Sequence, residues 1–234
     1  MGEGSMAISV RHIRKHYRKA AVLRNVSFEA ESGSCIGILG KNGCGKSTLL
    51  SILSGILRPD EGEFLLHRGQ GTGIDLLHDQ ALRASLVGYV PQSTPLLEEL
   101  TALDNLRLWY QAGRKGLAEE LSTGVLKLLR VDEFLRVPVS RLSGGMKTRL
   151  SIGCSVAHHP KILLLDEPGA ALDLVCKEII VEYLKDFCDK GGIAIMASHE
   201  IPEIASCTDT LILRDGEIYP YSYTGDVEDL VSHL

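Results

Sequence analysis

Apolar residues run unbroken through residues 35 to 39, CIGIL, and stop at Gly40; beyond a glycine-rich loop they return at helical spacing as Leu49, Leu50, Ile52, Leu53, Ile56 and Leu57. This pattern predicts strand, loop and helix in succession, with RPDEG at 58 to 62 closing the helix. Two further runs, ILLL at 162 to 165 and IAIMA at 193 to 197, show no polar alternation, as central parallel strands covered on both faces do. They lead into Asp166-Glu167 and Ser198-His199. Ligands of open α/β sheets bind outside the carboxyl ends of the strands, so Gly40, Asp166 and His199 are expected to converge on one pocket. From Gln92 to Pro160 the apolar residues instead follow helical spacing, as in Leu103, Leu106 and Tyr110, which predicts a helical lobe inserted into the α/β core. Trp109 is expected to pack within that lobe or, as the alternative, to lie beside a docking groove on it. LILRDGEIY reads as a hairpin turning at Asp215-Gly216.

With 234 residues, 44% hydrophobic and 24% charged, the chain can bury one sizeable core or two unequal lobes. A net charge of -5 argues against wholesale nucleic-acid binding, which draws on Lys and Arg to neutralise phosphates. The basic stretch RHIRKHYRK at 11 to 19 is therefore read as a solvated strand. The six cysteines never form a C-x-x-C pair, and no Cys/His set has zinc-finger spacing; reduced thiols of a cytosolic protein are expected. No apolar run approaches the roughly 18 residues of a membrane helix. MGEGSMAISV lacks the charged start and apolar middle of a signal peptide, and Met6 stands where an N-myristoylation motif needs Ser or Thr. Neither membrane insertion nor secretion is expected.

The loop GKNGCGKS satisfies G-x-x-x-x-G-K-[ST] in a strand-before, helix-after context. Gly43 and Gly45 lack Cβ atoms, so the backbone can curl and aim successive N–H groups at a phosphate, to which the following helix adds its positive N-terminal end. Lys46 would reach the β- and γ-phosphates, and Ser47 would offer its hydroxyl to Mg²⁺, a hard cation that prefers oxygen ligands. ILLLDEP supplies the carboxylates: Asp166 to hold the metal through water and Glu167 to orient and deprotonate an attacking water. Phosphoryl transfer asks mainly for positioning and charge stabilisation, and these residue types provide both.

With LSGGM at 142 to 146 just ahead of ILLLDEP, the chain resembles the nucleotide-binding subunits of ABC transporters over nearly its whole length. The resemblance implies an α/β fold: a P-loop NTPase core with a mainly parallel sheet, an antiparallel β subdomain and an inserted α-helical subdomain. The expected division is 1–91 with 158–234 as the ATP-binding core and 92–157 as the helical unit. It further implies that Gly40, Lys41, Asn42, Gly43, Cys44, Gly45, Lys46, Ser47 and Thr48 form the Walker A loop that binds ATP, with Asp166 and Glu167 ending Walker B. Gln92 in YVPQ resembles the glutamine that touches Mg²⁺ and the lytic water and senses the transmembrane partner. Asp173 in AALD resembles the D-loop aspartate, His199 the switch histidine at the γ-phosphate, and Tyr17 the aromatic that stacks on adenine. Ser143, Gly144 and Gly145 form a second helix-start anion site, Ser143 as N-cap and the glycines exposing backbone N–H groups. In the family that site completes the opposite nucleotide pocket of a head-to-tail dimer.

Met146 departs from the commonest family sequence, which has Gln there, and LSGGMKTRL looks more like the signature of export-type systems than of nutrient importers. The expected partners are a separately encoded transmembrane permease and a second copy or homologous nucleotide-binding subunit, with no nucleic acid; the expected location is the cytoplasmic face of the membrane. The sequence ends with TGDVEDLVSHL, so the regulatory domain of some sugar importers is not expected. Two alternatives stand beside the transporter reading: a soluble ABC-type ATPase for assembly or mechanical work, such as iron–sulfur cluster assembly, and a P-loop kinase, which would leave Ser143-Gly144-Gly145 without a purpose. Cys44 lies inside the phosphate loop, so its alkylation is expected to block nucleotide binding and ATP to protect it.

Overall fold

The computed structural model describes residues 6–18, 20–69, 72–93, 95–110, 113–169, 172–198, 201–223, 225 and 227–233. Ten strands form one sheet: β1 (Met6–Tyr17), β2 (Ala20–Glu31), β3 (Cys35–Leu39), β4 (Glu61–Arg68), β5 (Ile74–Asp75), β6 (Val87–Val90), β7 (Ile162–Asp166), β8 (Ile193–Ala197), β9 (Asp209–Arg214) and β10 (Glu217–Tyr221). Their order is β5-β4-β1-β2-β10-β9-β3-β8-β7-β6. The segment β9-β3-β8-β7-β6 is parallel throughout, while β1, β2, β4 and β5 pair antiparallel. The expected core and antiparallel subdomain are both present.

Every residue of β3, β7 and β8 is buried, which explains why these strands read as continuous apolar runs rather than alternating ones. Helices are α1 (Lys46–Ser54), α2 (Gln80–Leu86), α3 (Ala102–Trp109), α4 (Gly113–Ser122), α5 (Val125–Leu128), α6 (Gly144–Ser155), α7 (Leu174–Asp189), α8 (Ile201–Ala205) and α9 (Val227–His233). On one face of the sheet Leu49, Leu50, Ile52 and Leu53 of α1 pack against Ile36, Ile38, Leu164 and Ile195. On the other, Leu106, Leu126 and Leu150 join Leu163, Leu165 and Met196 in a second cluster. The lobe formed by α3 to α6 thus buries its apolar side on the sheet itself.

Two expectations are corrected. Helix α1 ends at Ser54 because Gly55, with φ 89°, takes the left-handed C-cap and donates to Ile52 O at 3.0 Å, so RPDEG follows the helix rather than stopping it. Trp109 is 51% exposed, while its neighbour Tyr110 turns inward, as the spacing of Leu103, Leu106 and Tyr110 predicts, and donates its hydroxyl to Gly153 O at 3.2 Å. Cys44 is half-buried: its sulfur packs toward Gly40, where a Cβ would stand 2.6 Å from it, and the residue borders the cavity beside the loop. Elsewhere the pattern holds. Asp215-Gly216 turns the β9–β10 hairpin, with φ 53° and 79° at the two positions. The basic stretch lies on β1 in ion pairs, Arg14–Glu61 at 2.8 Å and Lys15–Asp60 at 2.9 Å, so its charge is already matched by acidic neighbours.

Candidate functional site

The parallel pairings β3–β8 and β8–β7 set three carboxyl ends side by side. From the end of β3 the chain runs through Gly40, Lys41, Asn42, Gly43, Cys44 and Gly45 into α1. Gly45 has φ 113°, and a Cβ on it would lie 2.9 Å from Leu23 Cδ2, so the loop needs glycine there for conformation and for space. Lys41, Asn42 and Gly43 are exposed, and the loop borders a cavity of about 460 Å³ shared with Val22, Arg24 and residues 213–216.

Lys46 is 5% exposed, and its Nζ donates to Gly40 O at 2.7 Å and to Lys41 O at 3.3 Å. It stands 4.0 Å from Glu167 Oε1. Glu167 follows β7 in a left-handed conformation, φ 51°, held by a bond from its N–H to Ala197 O at 2.8 Å. Its other oxygen accepts from Gln92 Nε2 at 3.0 Å. Lys46, Glu167 and Gln92, 46 to 121 residues apart in pairs along the chain by no local rule, are therefore joined in one cluster, although they were singled out separately in the sequence.

Asp166 is buried at the end of β7, and its Oδ1 has no hydrogen-bond partner among the described residues. Burial pushes its carboxyl up; a hydrogen bond with Ser47 pulls the other way, Glu167 adds repulsion, and Lys46 and Tyr89 favour the charge. An exposed hydroxyl at Ser47 beside a buried carboxylate with a free oxygen is an all-oxygen donor set that fits a hard divalent cation. No group of three His, Cys, Asp or Glu side chains among the described residues is arranged to hold a metal. An acid whose value in the fold lies above that in the unfolded chain supports folding while protonated and costs stability once pH rises through the folded value. At neutral pH Asp166→Asn should therefore raise the Tm of the nucleotide-free protein; calorimetry checks it, and a lower Tm would contradict the reading.

Ser143, exposed, caps α6: its Oγ accepts from Met146 N at 3.2 Å. Gly144 is exposed, while Gly145 is buried so tightly that a Cβ would lie 2.4 Å from Cys176 Sγ. Asp173 caps α7, accepting from Cys176 N at 2.8 Å, and that bond together with the Cys176 thiol holds its carboxyl below the usual range. Met146 is half-buried against the helical cluster, a packing role that needs no amide. Tyr17 lies at the β1–β2 hairpin, 48% exposed, with Lys15 Nζ 5.9 Å from its ring centre. Thr48 is half-buried on α1. His199 lies outside the described residues.

Two participants were not anticipated. Tyr89 of β6 reaches Asp166 and Ser51, and burial pushes its hydroxyl up. Glu203 of α8 is buried, accepts from Ser198 Oγ, and presses on Gly169, so the exits of β7 and β8 are tied together behind the cluster. Neither had a legible signal: a Tyr two residues from a strand end and a Glu in a short helix are ordinary in any sequence.

The sequence pattern described as ABC transporter matches residues 23–170. Linearmycin resistance ATP-binding protein LnrL of Bacillus subtilis is 31% identical over 230 residues, spanning 97% of this chain and 71% of that protein. Nod factor export ATP-binding protein I of Sinorhizobium fredii is 33% identical over 211 residues, 89% of this chain and 60% of that protein. Methionine import ATP-binding protein MetN of Clostridioides difficile is 35% identical over 228 residues, 95% of this chain and 70% of that protein. Among solved structures, a dimeric post-hydrolysis ATP-binding cassette bound to ADP and Pi superposes with a TM-score of 0.79 and 27% identity, over 92% of this chain and 98% of that one.

Proposed function

Because this chain belongs to the ABC transporter family as an ATP-binding, ATP-hydrolysing subunit, we propose that two copies, or one copy and a homologous subunit, close head to tail on two ATP molecules and drive a separately encoded permease of the export type. The observation that carries this reading is the cluster of Lys46, Glu167 and Gln92 at adjacent strand ends, with Asp166 beside it and Ser143-Gly144-Gly145 displayed on a different helix of the same chain. Each chain thus carries a phosphate-facing loop and a separate capping surface, and two-fold symmetry lets each copy complete the other's site.

In this reading the N–H groups of the loop from Gly40 to Thr48 grip the phosphates, and Lys46 exchanges its bonds to Gly40 and Lys41 for bonds to the β- and γ-oxygens. Ser47, Asp166 and Gln92 would hold Mg²⁺, which when bound neutralises phosphate charge as it shifts in the transition state. Glu167 takes the proton of the attacking water, and Gln92, already bonded to Glu167, fixes that carboxylate's direction. His199 contacts the γ-phosphate, Asp173 stands at the dimer seam, and Tyr17 stacks on adenine. The helical unit 92–157 moves with Gln92 as its link to the core formed by 1–91 and 158–234.

Export is favoured by Met146 in the signature and by relatives named for export, while a relative named for import is as close in sequence. Among the described residues no helix is long and apolar enough to cross a membrane, in keeping with a subunit held at the cytoplasmic face by its permease. Purification from detergent-solubilised membranes tests the partner: a polytopic membrane protein should accompany the chain, and a soluble scaffold in its place would favour the assembly-ATPase alternative. Tyr17→Ala should weaken ATP binding about 10-fold, within the ~1–3 kcal/mol of a base–aromatic stack. Equal affinities by calorimetry would remove Tyr17 from the site.

A further inference from the structure

At the end of β3 remote from the phosphate loop, three thiols lie together. Cys35 opens β3, Cys188 stands near the end of α7, and Cys207 follows α8. The Cys35 and Cys207 sulfurs are 3.7 Å apart. Cys188 hydrogen-bonds Cys35 and also donates to Ser34 O at 3.4 Å. None of the three touches the nucleotide site, and metal binding is no explanation, since no suitable trio of ligands occurs among the described residues.

Cys35 and Cys207 differ in access. Cys35 is buried, whereas Cys207 is half-buried and lines a cavity of about 530 Å³ together with Thr208, Tyr221 and Tyr223. The backbone holds the pair in register from both sides: Cys35 N donates to Thr208 Oγ1 at 3.0 Å, and Thr208 N donates to Cys35 O at 2.8 Å. A Cβ on Gly37 would stand 3.0 Å from the Cys207 sulfur, so the absence of a side chain there leaves that sulfur its place against β3. Closing a bond of about 2 Å from this starting distance asks for side-chain rotation rather than rearrangement of strands.

We propose that Cys35 and Cys207 form a reversible two-electron oxidation site for hydrogen peroxide, with Cys207 reacting first and Cys35 resolving. The Cys207 sulfur attacks one peroxide oxygen; an S–O bond forms, the O–O bond breaks, and the departing oxygen leaves as water with the thiol's proton, giving a sulfenic acid. The Cys35 sulfur then attacks the Cys207 sulfur; an S–S bond forms, the S–O bond breaks, and the hydroxyl departs as a second water with the Cys35 proton. Two thiols are oxidised by two electrons and one hydrogen peroxide is reduced by two. The order follows from access and protonation. The bond with Cys188 lowers the Cys35 thiol, but the bond with Cys207 and burial outweigh it and hold that thiol well above its ordinary value, so it stays protonated behind Cys207.

The full chain is treated with hydrogen peroxide, quenched with N-ethylmaleimide and examined by intact mass and non-reducing peptide mapping. The expected product has lost two of its six thiols and two hydrogens, carries a Cys35–Cys207 linked peptide, and returns to the starting mass with dithiothreitol. In Cys207→Ser, loss of the Cys35 thiol should slow at least about tenfold, because the accessible partner is gone. The peptide map of the peroxide-treated, unsubstituted chain decides the matter even if that variant does not fold. A bridge between Cys35 and Cys188, over-oxidation of Cys207 with Cys35 left as a thiol, or thiol loss confined to Cys44 would each overturn the proposal.

Discussion

Replacing Glu167 by Gln should lower steady-state ATP turnover by about 10²–10⁴-fold, the range a positioned general base supplies, with ATP affinity nearly unchanged. Gln keeps the length of the side chain and a carbonyl for the bond from Gln92 Nε2, now 3.0 Å from the carboxylate, but it cannot take a proton. Its backbone stays anchored by the bond to Ala197 O. The same variant should run as a dimer in the presence of Mg-ATP, since closure is no longer undone by hydrolysis. Phosphate release and light scattering read the two outcomes separately. Turnover within tenfold of the parent would remove Glu167 from the role of base; a monomer at saturating Mg-ATP would falsify the head-to-tail sandwich.

Lys46→Ala should weaken ATP binding by roughly 10- to 100-fold, the equivalent of the ~1.5–3 kcal/mol carried by hydrogen bonds to charged groups. Lys46 Nζ is already desolvated and bonded to two loop carbonyls, so it reaches a phosphate without a further burial cost. Lys46→Arg should not restore affinity, because a planar guanidinium does not fit a place shaped around a compact ammonium between Gly40 and Lys41. Titration calorimetry with ATP measures both variants. Unchanged affinity in Lys46→Ala would mean that the main-chain amides alone hold the phosphates.

The strands and the phosphate loop were legible because their signals are local. An unbroken apolar run such as ILLL needs burial on both faces, and the glycines before Lys46 serve a backbone path that other residues cannot follow. The pairing of Asp166, Glu167, Lys46 and Gln92 was legible only through a general rule about strand ends combined with family resemblance. What escaped depends on tertiary packing. Gly55 outranked the proline downstream as the end of α1, and Trp109, expected to pack within the lobe, lies on its surface while Tyr110 takes the inner face. Periodicity marks that a helix has an inner face, but one residue's rotation about the axis separates Tyr110 from Trp109. Tyr89 reaches Ser51 and Asp166, and Glu203 reaches Gly169, each tens of residues away, at a distance no spacing rule covers.

The close fit of Gly145 against Cys176 has one more implication. It presses the start of α6 onto the start of α7, so the surface offered to the opposite copy and the Asp173 cap travel as one rigid piece. In the proposed dimer, ligand arriving at one pocket would push that piece and thereby prepare the second, which predicts sigmoidal occupancy rather than two independent events. A bulkier residue at position 145 would loosen this mechanical link first and the helices themselves only afterwards.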